Sequence, residues 1–144
     1  MQVAALLQRI GDRAGITVSL LCGIHCAALA WALTAMPLVW FSQRLWGIPL
    51  VWYARLELAL VLLAALFAAV GLGLGWLRHR GYGPGVLGLA GIVLLSTVLV
   101  IEWHASRWLG PGLVLGGGLL LVIAHVWNAT KVAALRVSLE RARR

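Results

Sequence analysis

The sequence predicts an all-α integral membrane protein, a bundle of four transmembrane helices with both termini in the cytoplasm. Of its 144 residues, 62% are hydrophobic and 11% are charged, and the mean hydropathy is +0.98. Soluble domains carry about 25% charged residues, so this chain cannot cover itself with polar surface. Its length allows four helices of ~20 residues with short connections, which predicts a single membrane domain over residues 1–144.

The first two elements are a short amphipathic segment and a long apolar stretch. Residues 1–14 predict an interfacial helix lying on the membrane, with a frayed terminus as the alternative. The first span is predicted at residues 16–40, ending near Pro37. It is longer than a typical signal-peptide core and no polar domain follows it, which predicts that it stays uncleaved. The apolar face of the first segment contains Val3, Leu6, Leu7 and Ile10.

Three further spans follow, separated by short polar or aromatic connections. Aromatic side chains in residues 41–53 predict a loop at the membrane–water boundary. The basic, Gly/Pro-rich residues 77–84 predict a tight turn between antiparallel helices. The tail, residues 132–144, is basic and predicted to be helical. The remaining spans are predicted at residues 54–76, 85–104 and 112–131.

The distribution of Lys and Arg predicts the orientation. Nine of the twelve lie in the N-terminal segment, the 77–84 turn and the C-terminal end, against three on the other side. Because basic residues accumulate on the cytoplasmic side, both termini are predicted there. The net charge of +8 therefore reflects topology and contact with the anionic bilayer surface, and no nucleic-acid partner is expected.

Cys22, His25 and Cys26 are the candidate metal ligands of the first span. Ionisable groups inside a membrane are costly and usually mark a functional site. Positions i, i+3 and i+4 share one helical face, and thiol and imidazole are donors for thiophilic metals. A simpler interpretation is that each cysteine is a small buried apolar residue.

Depth along the helices predicts two tiers of polar groups. At ~1.5 Å per residue, Cys22 lies about 10 Å from the cytoplasmic end of the first span. His125 lies at a similar depth in the fourth span, which predicts an inner tier with the thiols. Glu102 and His104 form a predicted outer tier that an arriving cation meets first. The simpler alternatives are that His125 bonds a backbone carbonyl and that Glu102 and His104 are solvated at the interface.

Three other ionisable residues are predicted to have no functional role. His79 lies in the basic turn and is predicted to be solvated. Arg55 and Glu57 flank the start of the second span and are predicted to be charges at the membrane interface.

The pattern Asp12-Arg13-x-Gly15-x3-Ser19-x2-Cys22-x2-His25-Cys26 resembles the MerC family of inner-membrane mercury-resistance proteins. A late His-x2-Asn, at His125 and Asn128, and the segment Glu102-Trp103-x4-Trp108 extend the likeness over nearly the whole chain. The resemblance implies a multi-pass protein of the bacterial inner membrane that carries mercuric ion through Cys22 and Cys26, with His25 as a nearby donor.

This chain departs from the mercury-operon members of that family, which carry a second cysteine pair near the C-terminus. It has only two cysteines, so the expected metal is mercury, zinc or copper, and the next acceptor is expected to be another, cytoplasmic molecule. No cofactor is expected other than the metal ion. A homodimer would enclose more volume for a pathway than four short helices do.

Three alternatives remain open at this point. A membrane thiol redox protein linked to a quinone would also use a cysteine pair, although these two are four positions apart instead of three. Haem could bind between His25 and His125 on facing helices, as bundles allow. A purely structural subunit would tolerate mutation of all these residues.

Overall fold

The computed structural model describes residues 2–36, 38–97 and 109–143. The described chain is almost entirely helical, as predicted, and its three longest helices extend beyond the predicted spans. The helices are α1 (Gln2–Ala35), α2 (Leu38–Ser42), α3 (Leu50–His79), α4 (Gly83–Thr97) and α5 (Leu109–Ala142).

Helix α1 is continuous from Gln2, so the prediction of a separate interfacial helix at residues 1–14 is wrong. No proline interrupts this segment, and the helix ends at Ala35, just before the Met36-Pro37 sequence. A residue that precedes proline is disfavoured in helical conformation, which explains the end of the helix. Pro37 itself lies outside the described residues.

The first three turns of α1 have their apolar side facing outwards. Val3, Leu6 and Ile10 are exposed, whereas Gln8 and Asp12 are almost completely buried against the other helices. A hydrocarbon environment accepts the outward apolar face, and interhelical hydrogen bonds satisfy the inward polar groups. The polarity of these turns is therefore that of a membrane-embedded helix.

A small hairpin lies between α2 and α3 where only a loop was predicted. Strands β1 (Arg44–Leu45) and β2 (Ile48–Pro49) pair antiparallel, with Leu45 opposite Ile48. Trp46 and Gly47 form the turn, and both have positive φ angles, of 50° and 81°. This is the backbone of a two-residue type I′ turn, in which glycine is favoured.

Helix α1 lies between α3 and α5, and α5 also packs along α4. Helix α1 runs antiparallel to both α3 and α5, so the start of α1 meets the ends of α3 and α5. The main apolar core includes both cysteines and lies where these helices cross. A second, smaller cluster at the other end of the bundle contains Leu29, Ala32, Leu33, Val39 and Leu45.

Three helices of the described chain are long and apolar enough to cross a membrane. They contain the candidate spans Ala5–Leu33, Leu50–His79 and Leu109–Ala142. Helix α4 is apolar but has only 15 residues. The predicted third span, 85–104, continues past Thr97 into residues outside the described part, which also include Glu102 and His104.

Candidate functional site

The two cysteines form a close, buried pair in the middle of the bundle. Cys22 is 0% and Cys26 1% exposed, and their sulfur atoms lie 3.8 Å apart. Both are free thiols, on the face of α1 that packs against the other helices. The helical spacing of four residues places the two Sγ atoms on the same face of α1, one turn apart.

Glu57 of α3 lies beside this thiol pair. Its side chain is 3% exposed and lies close enough to both thiols for its carboxylate to interact electrostatically with them. The prediction that Glu57 is an interface charge is therefore wrong. Its position follows from the crossing of α1 and α3, which brings the second turn of α3 against the thiols and which no local pattern in the sequence reveals.

His25 lies next to the thiols in sequence but is not in their buried cluster. It is half-buried, and its Nε2 atom is buried without a hydrogen-bond partner among the described residues. Within the described part of the chain, no three His, Cys, Asp or Glu side chains are grouped closely enough to hold a metal ion. The side chains of the predicted inner tier, Cys22, His25, Cys26 and His125, are thus not brought together into one site.

His125 lies two turns of α1 away from the thiols. Its Nδ1 atom donates a hydrogen bond of 3.0 Å to Asp12 Oδ1, and its Nε2 edge faces Gly15. The prediction that His125 and Cys22 lie at the same depth is wrong. Helix α1 begins before the predicted first span, so His125 of α5 packs beside Gly15 of α1 and not beside Cys22. Gly15 and His25 are ten positions apart, ~15 Å along the axis, so His25 and His125 do not face each other across one metal or haem iron.

Asp12 is the centre of a buried polar network that joins α1, α3 and α5. Its carboxylate accepts hydrogen bonds from His125 Nδ1, from Asn128 Nδ2 at 3.0 and 3.1 Å, and from Gln8 Nε2 at 3.1 Å. Asn128 Nδ2 also donates to the carbonyl oxygen of Gly71 at 3.0 Å. Burying a carboxylate is costly unless it is hydrogen-bonded, and these donors offset that cost.

Two side chains at the end of α3 complete the polar network. Arg78 donates to Gln8 Oε1 at 2.8 Å. His79 Nδ1 accepts from the Gly81 N–H, so its Nε2 carries the proton that is donated to Asn128 Oδ1 at 2.9 Å. His79 therefore has two specific partners, and the prediction that it is solvated is wrong. The polar network comprises Gln8, Asp12, Arg78, His79, His125 and Asn128.

Gly15 provides the space that His125 occupies. A Cβ atom at position 15 would lie 2.2 Å from His125 Nε2 and 2.4 Å from Cε1, which is far inside van der Waals contact. The imidazole thus rests on the backbone of α1, and only glycine at this position permits the Asp12–His125 hydrogen bond in its observed form.

The inner face of α1 carries polar groups along more than half of its length. Ser19 lies between the thiols and the polar network, and its Oγ is buried without a hydrogen-bond partner among the described residues. The line starts at Gln8 and ends at Cys26, some 27 Å by the helical rise. The inner face of α1 therefore offers soft sulfur donors at the thiol pair and hydrogen-bonding groups at the polar network.

Reasoning from the residues found the thiols but did not find the polar network. Asp12, Ser19 and Asn128 were not among the predicted site residues. A signal was present for Gln8 and Asp12, since they are four positions apart on the side of the helix opposite Val3, Leu6 and Ile10. The sequence does not show whether this polar side of α1 faces water or another helix, because that depends on which helices pack against it.

One of three comparisons with known proteins shows a relationship. Neither a curated protein nor a solved structure matches the chain. The profile of the family described as MerC mercury resistance protein matches residues 12–130, which begin at Asp12 and include both thiols and Asn128. Because this match covers most of the chain, the protein belongs to the MerC family of membrane mercury-resistance and transport proteins.

Proposed function

We propose that the protein carries a thiophilic metal ion, mercuric ion first among them, across the bacterial inner membrane by binding it between Cys22 and Cys26. The observation that carries this proposal is the pair of free, fully buried thiols 3.8 Å apart inside a membrane-spanning helix. Membership of a mercury-resistance family supports the choice of cargo.

Charge balance supports a dithiolate complex at this depth. A divalent ion that replaces both thiol protons forms two metal–sulfur bonds and releases two protons, and the resulting complex is neutral. Charged groups are expensive in the bilayer core, so a neutral complex is the form in which the metal is least unfavourable there. Binding of this kind weakens at low pH because protons compete for the same sulfur atoms.

The spacing of the sulfur atoms suits more than one thiophilic metal. With metal–sulfur bonds of about 2.3 Å, a separation of 3.8 Å corresponds to a bond angle near the tetrahedral value. A linear complex needs about 4.6 Å, which small rotations of the two side chains would provide. The distance therefore supports a site for mercuric, cuprous or zinc ion, and the family assignment favours the first.

Glu57 supplies a carboxylate on the side of the thiols opposite the polar network. It lies seven residues from the start of α3, ~10 Å by the helical rise. If both termini are cytoplasmic, as the Lys and Arg distribution favours, this end of α3 faces outwards. We infer that Glu57 attracts the arriving cation and passes it to the thiols. The sequence predicted this role for Glu102 and His104. Those two residues and His25 stay predicted ligands.

Transport into proteoliposomes tests this function. Radiolabelled mercuric ion is added outside vesicles that contain the wild type, Cys22→Ser, Cys26→Ser or Glu57→Gln. We expect each serine variant to lose uptake, and Glu57→Gln to slow uptake while leaving metal binding at equilibrium intact. Ala27→Ser is the matched control, because it adds a hydroxyl to the same turn of α1 without removing a thiol.

Uptake by either serine variant at the wild-type rate would rule out the dithiolate site. Equal slowing by Ala27→Ser would show that the variants act through helix packing and not through the loss of a ligand. Each protein is checked for correct reconstitution by its helical circular dichroism before transport is measured.

A further inference from the structure

A groove lies at the end of the bundle where α1 begins and α5 extends past its neighbours. Its volume is about 760 Å³, within the range of sites that hold small molecules. Ala5 of α1, Arg78 of α3 and one side of α5 line it. The thiol pair and Glu57 are not among its lining residues, so the groove is separate from the metal site.

The depth of the groove corresponds to the headgroup layer of the membrane. Trp76 and Trp127 lie just inside it along α3 and α5, and the side chains of Arg80 and Lys131 stack on their rings at 5.6 and 5.0 Å. Tryptophan beside a basic residue is typical of the membrane–water boundary. The groove begins further along both helices, at Arg78, two residues after Trp76, and at Val132, five residues after Trp127.

One side of α5 presents both apolar and basic groups to the groove. Val132, Leu135 and Leu139 form an apolar row at helical spacing. Arg136 and Arg143 lie on the same side, seven positions apart, and Arg78 faces them from α3. With Glu140 as the single lining acid, the groove has three positive charges and one negative charge.

We propose that this groove binds an anionic phospholipid from the surrounding leaflet. The phosphate would lie between Arg78 and the two arginines of α5, and an acyl chain would cover the apolar row. Arg78 is already oriented by its hydrogen bond to Gln8, so part of the site is held in place before a lipid binds. Basic pockets at the ends of membrane helices are known to select acidic headgroups.

The shape of the site favours a lipid over a soluble anion or a protein. A free phosphate would use the arginines but leave Leu135 and Leu139 uncovered. An acidic protein segment would have to reach a groove that opens at headgroup level, where lipid is present at high concentration. A two-part ligand, anionic at one end and apolar at the other, matches both parts of the lining.

Native mass spectrometry of the full-length protein in neutral detergent tests the proposal. Phosphatidylglycerol and phosphatidylcholine are titrated separately against the wild type, Arg136→Gln and Arg141→Gln. Both variants remove one positive charge from the exposed end of α5, but Arg141 does not line the groove. We expect phosphatidylglycerol to bind in preference, about five-fold more weakly to Arg136→Gln than to the wild type, and unchanged to Arg141→Gln.

Three outcomes would overturn the proposal. Equal losses in Arg136→Gln and Arg141→Gln would show general attraction to a basic tail, and equal binding of phosphatidylcholine would show no selectivity for anionic lipid. Competition by inorganic phosphate at the affinity of the lipid would show a site for free anions. Because the substituted side chains are exposed, a folding defect is not expected, and circular dichroism of each variant checks this.

Discussion

At the scale of single residues, Gly15 decides where His125 can lie. The imidazole occupies the volume that any side chain at position 15 would fill, and from there its Nδ1 reaches Asp12. A carboxylate buried near the membrane interior is tolerated because donors surround it. The presence of glycine at position 15 is therefore a condition for the whole polar network.

Replacing Gly15 by Ala should destabilise the fold. The added methyl group displaces His125 and removes a hydrogen bond to a buried carboxylate, a loss of about 1–3 kcal/mol that exceeds the helix-propensity gain of ~1 kcal/mol. Gly73→Ala is the control, since a Cβ at Gly73 meets nothing within 4 Å and the same propensity gain should leave stability unchanged or higher. Unfolding in a denaturing detergent, followed by circular dichroism, measures both; equal behaviour would contradict this account.

The thiol pair was predictable from sequence at this scale, and its neighbours were not. Cys22 and Cys26 are close because a helix brings positions i and i+4 together, whatever surrounds it. Glu57 and His125 depend on where α3 and α5 cross α1, which is set by the packing of small residues such as Gly11 against Gly71. The predicted depths of these residues were measured from the predicted start of the first span, and α1 begins more than three helical turns before it.

At the scale of helices, α1 carries the thiol pair and part of the polar network, and it contacts both α3 and α5. Its inner face presents Asp12, Ser19 and the two thiols, and α3 and α5 supply the partners. Asn128 links all three helices at once, because its amide group bonds to Asp12 on α1 and to Gly71 and His79 on α3. Interhelical hydrogen bonds are one of the forces that hold helices together in lipid.

Asn128→Ala should therefore loosen the bundle by about 2–4 kcal/mol, because it leaves Asp12, the Gly71 carbonyl and His79 each short of a buried partner. Thr130→Ala is a suitable control on the same helix, since the exposed Thr130 hydroxyl bonds only to the Trp127 carbonyl. Unfolding midpoints in mixed detergent micelles give the comparison. A difference of less than a few tenths of a kcal/mol between the two variants would show that the network does not stabilise the helix contacts.

The existence and order of the long helices followed from hydropathy, but their ends did not. Apolar windows identify the most hydrophobic part of a helix, whereas α1 and α5 continue beyond those windows through turns that contain polar residues, at residues 2–15 and 131–142. The N-terminal turns were predicted to be a separate surface helix because their polar residues were expected to face water. They face the interior instead, where Arg78 and Asn128 provide partners.

At the scale of the whole molecule, the two ends of the bundle carry different groups. One end has the basic tail, the polar network and the groove. The other has the hairpin, the start of α3 and Glu57. Because eight of the ten Lys and Arg residues in the described part of the chain lie at the first end, we propose that this end is cytoplasmic.

Reporter fusions test this orientation. A green fluorescent protein at the C-terminus should fluoresce, and alkaline phosphatase inserted at the Trp46–Gly47 turn should be active outside the inner membrane. The same phosphatase inserted at Gly81, between α3 and α4, is the control and should be inactive. A dark C-terminal fusion, together with an inactive phosphatase at the turn and an active one at Gly81, would place this end of the bundle outside and reverse the assignment of Glu57 to the outer end.

The most direct test of the central claim is the number of mercuric ions bound per chain. Purified protein, kept reduced, is titrated and analysed for bound metal together with Cys22→Ser, Cys26→Ser, the double variant and Ala27→Ser. The account predicts a single tightly held ion in the wild type and Ala27→Ser, an affinity at least ~100-fold lower in each single variant, and no ion in the double variant. Unchanged stoichiometry and affinity in the double variant would contradict the proposal that the buried thiol pair holds the metal.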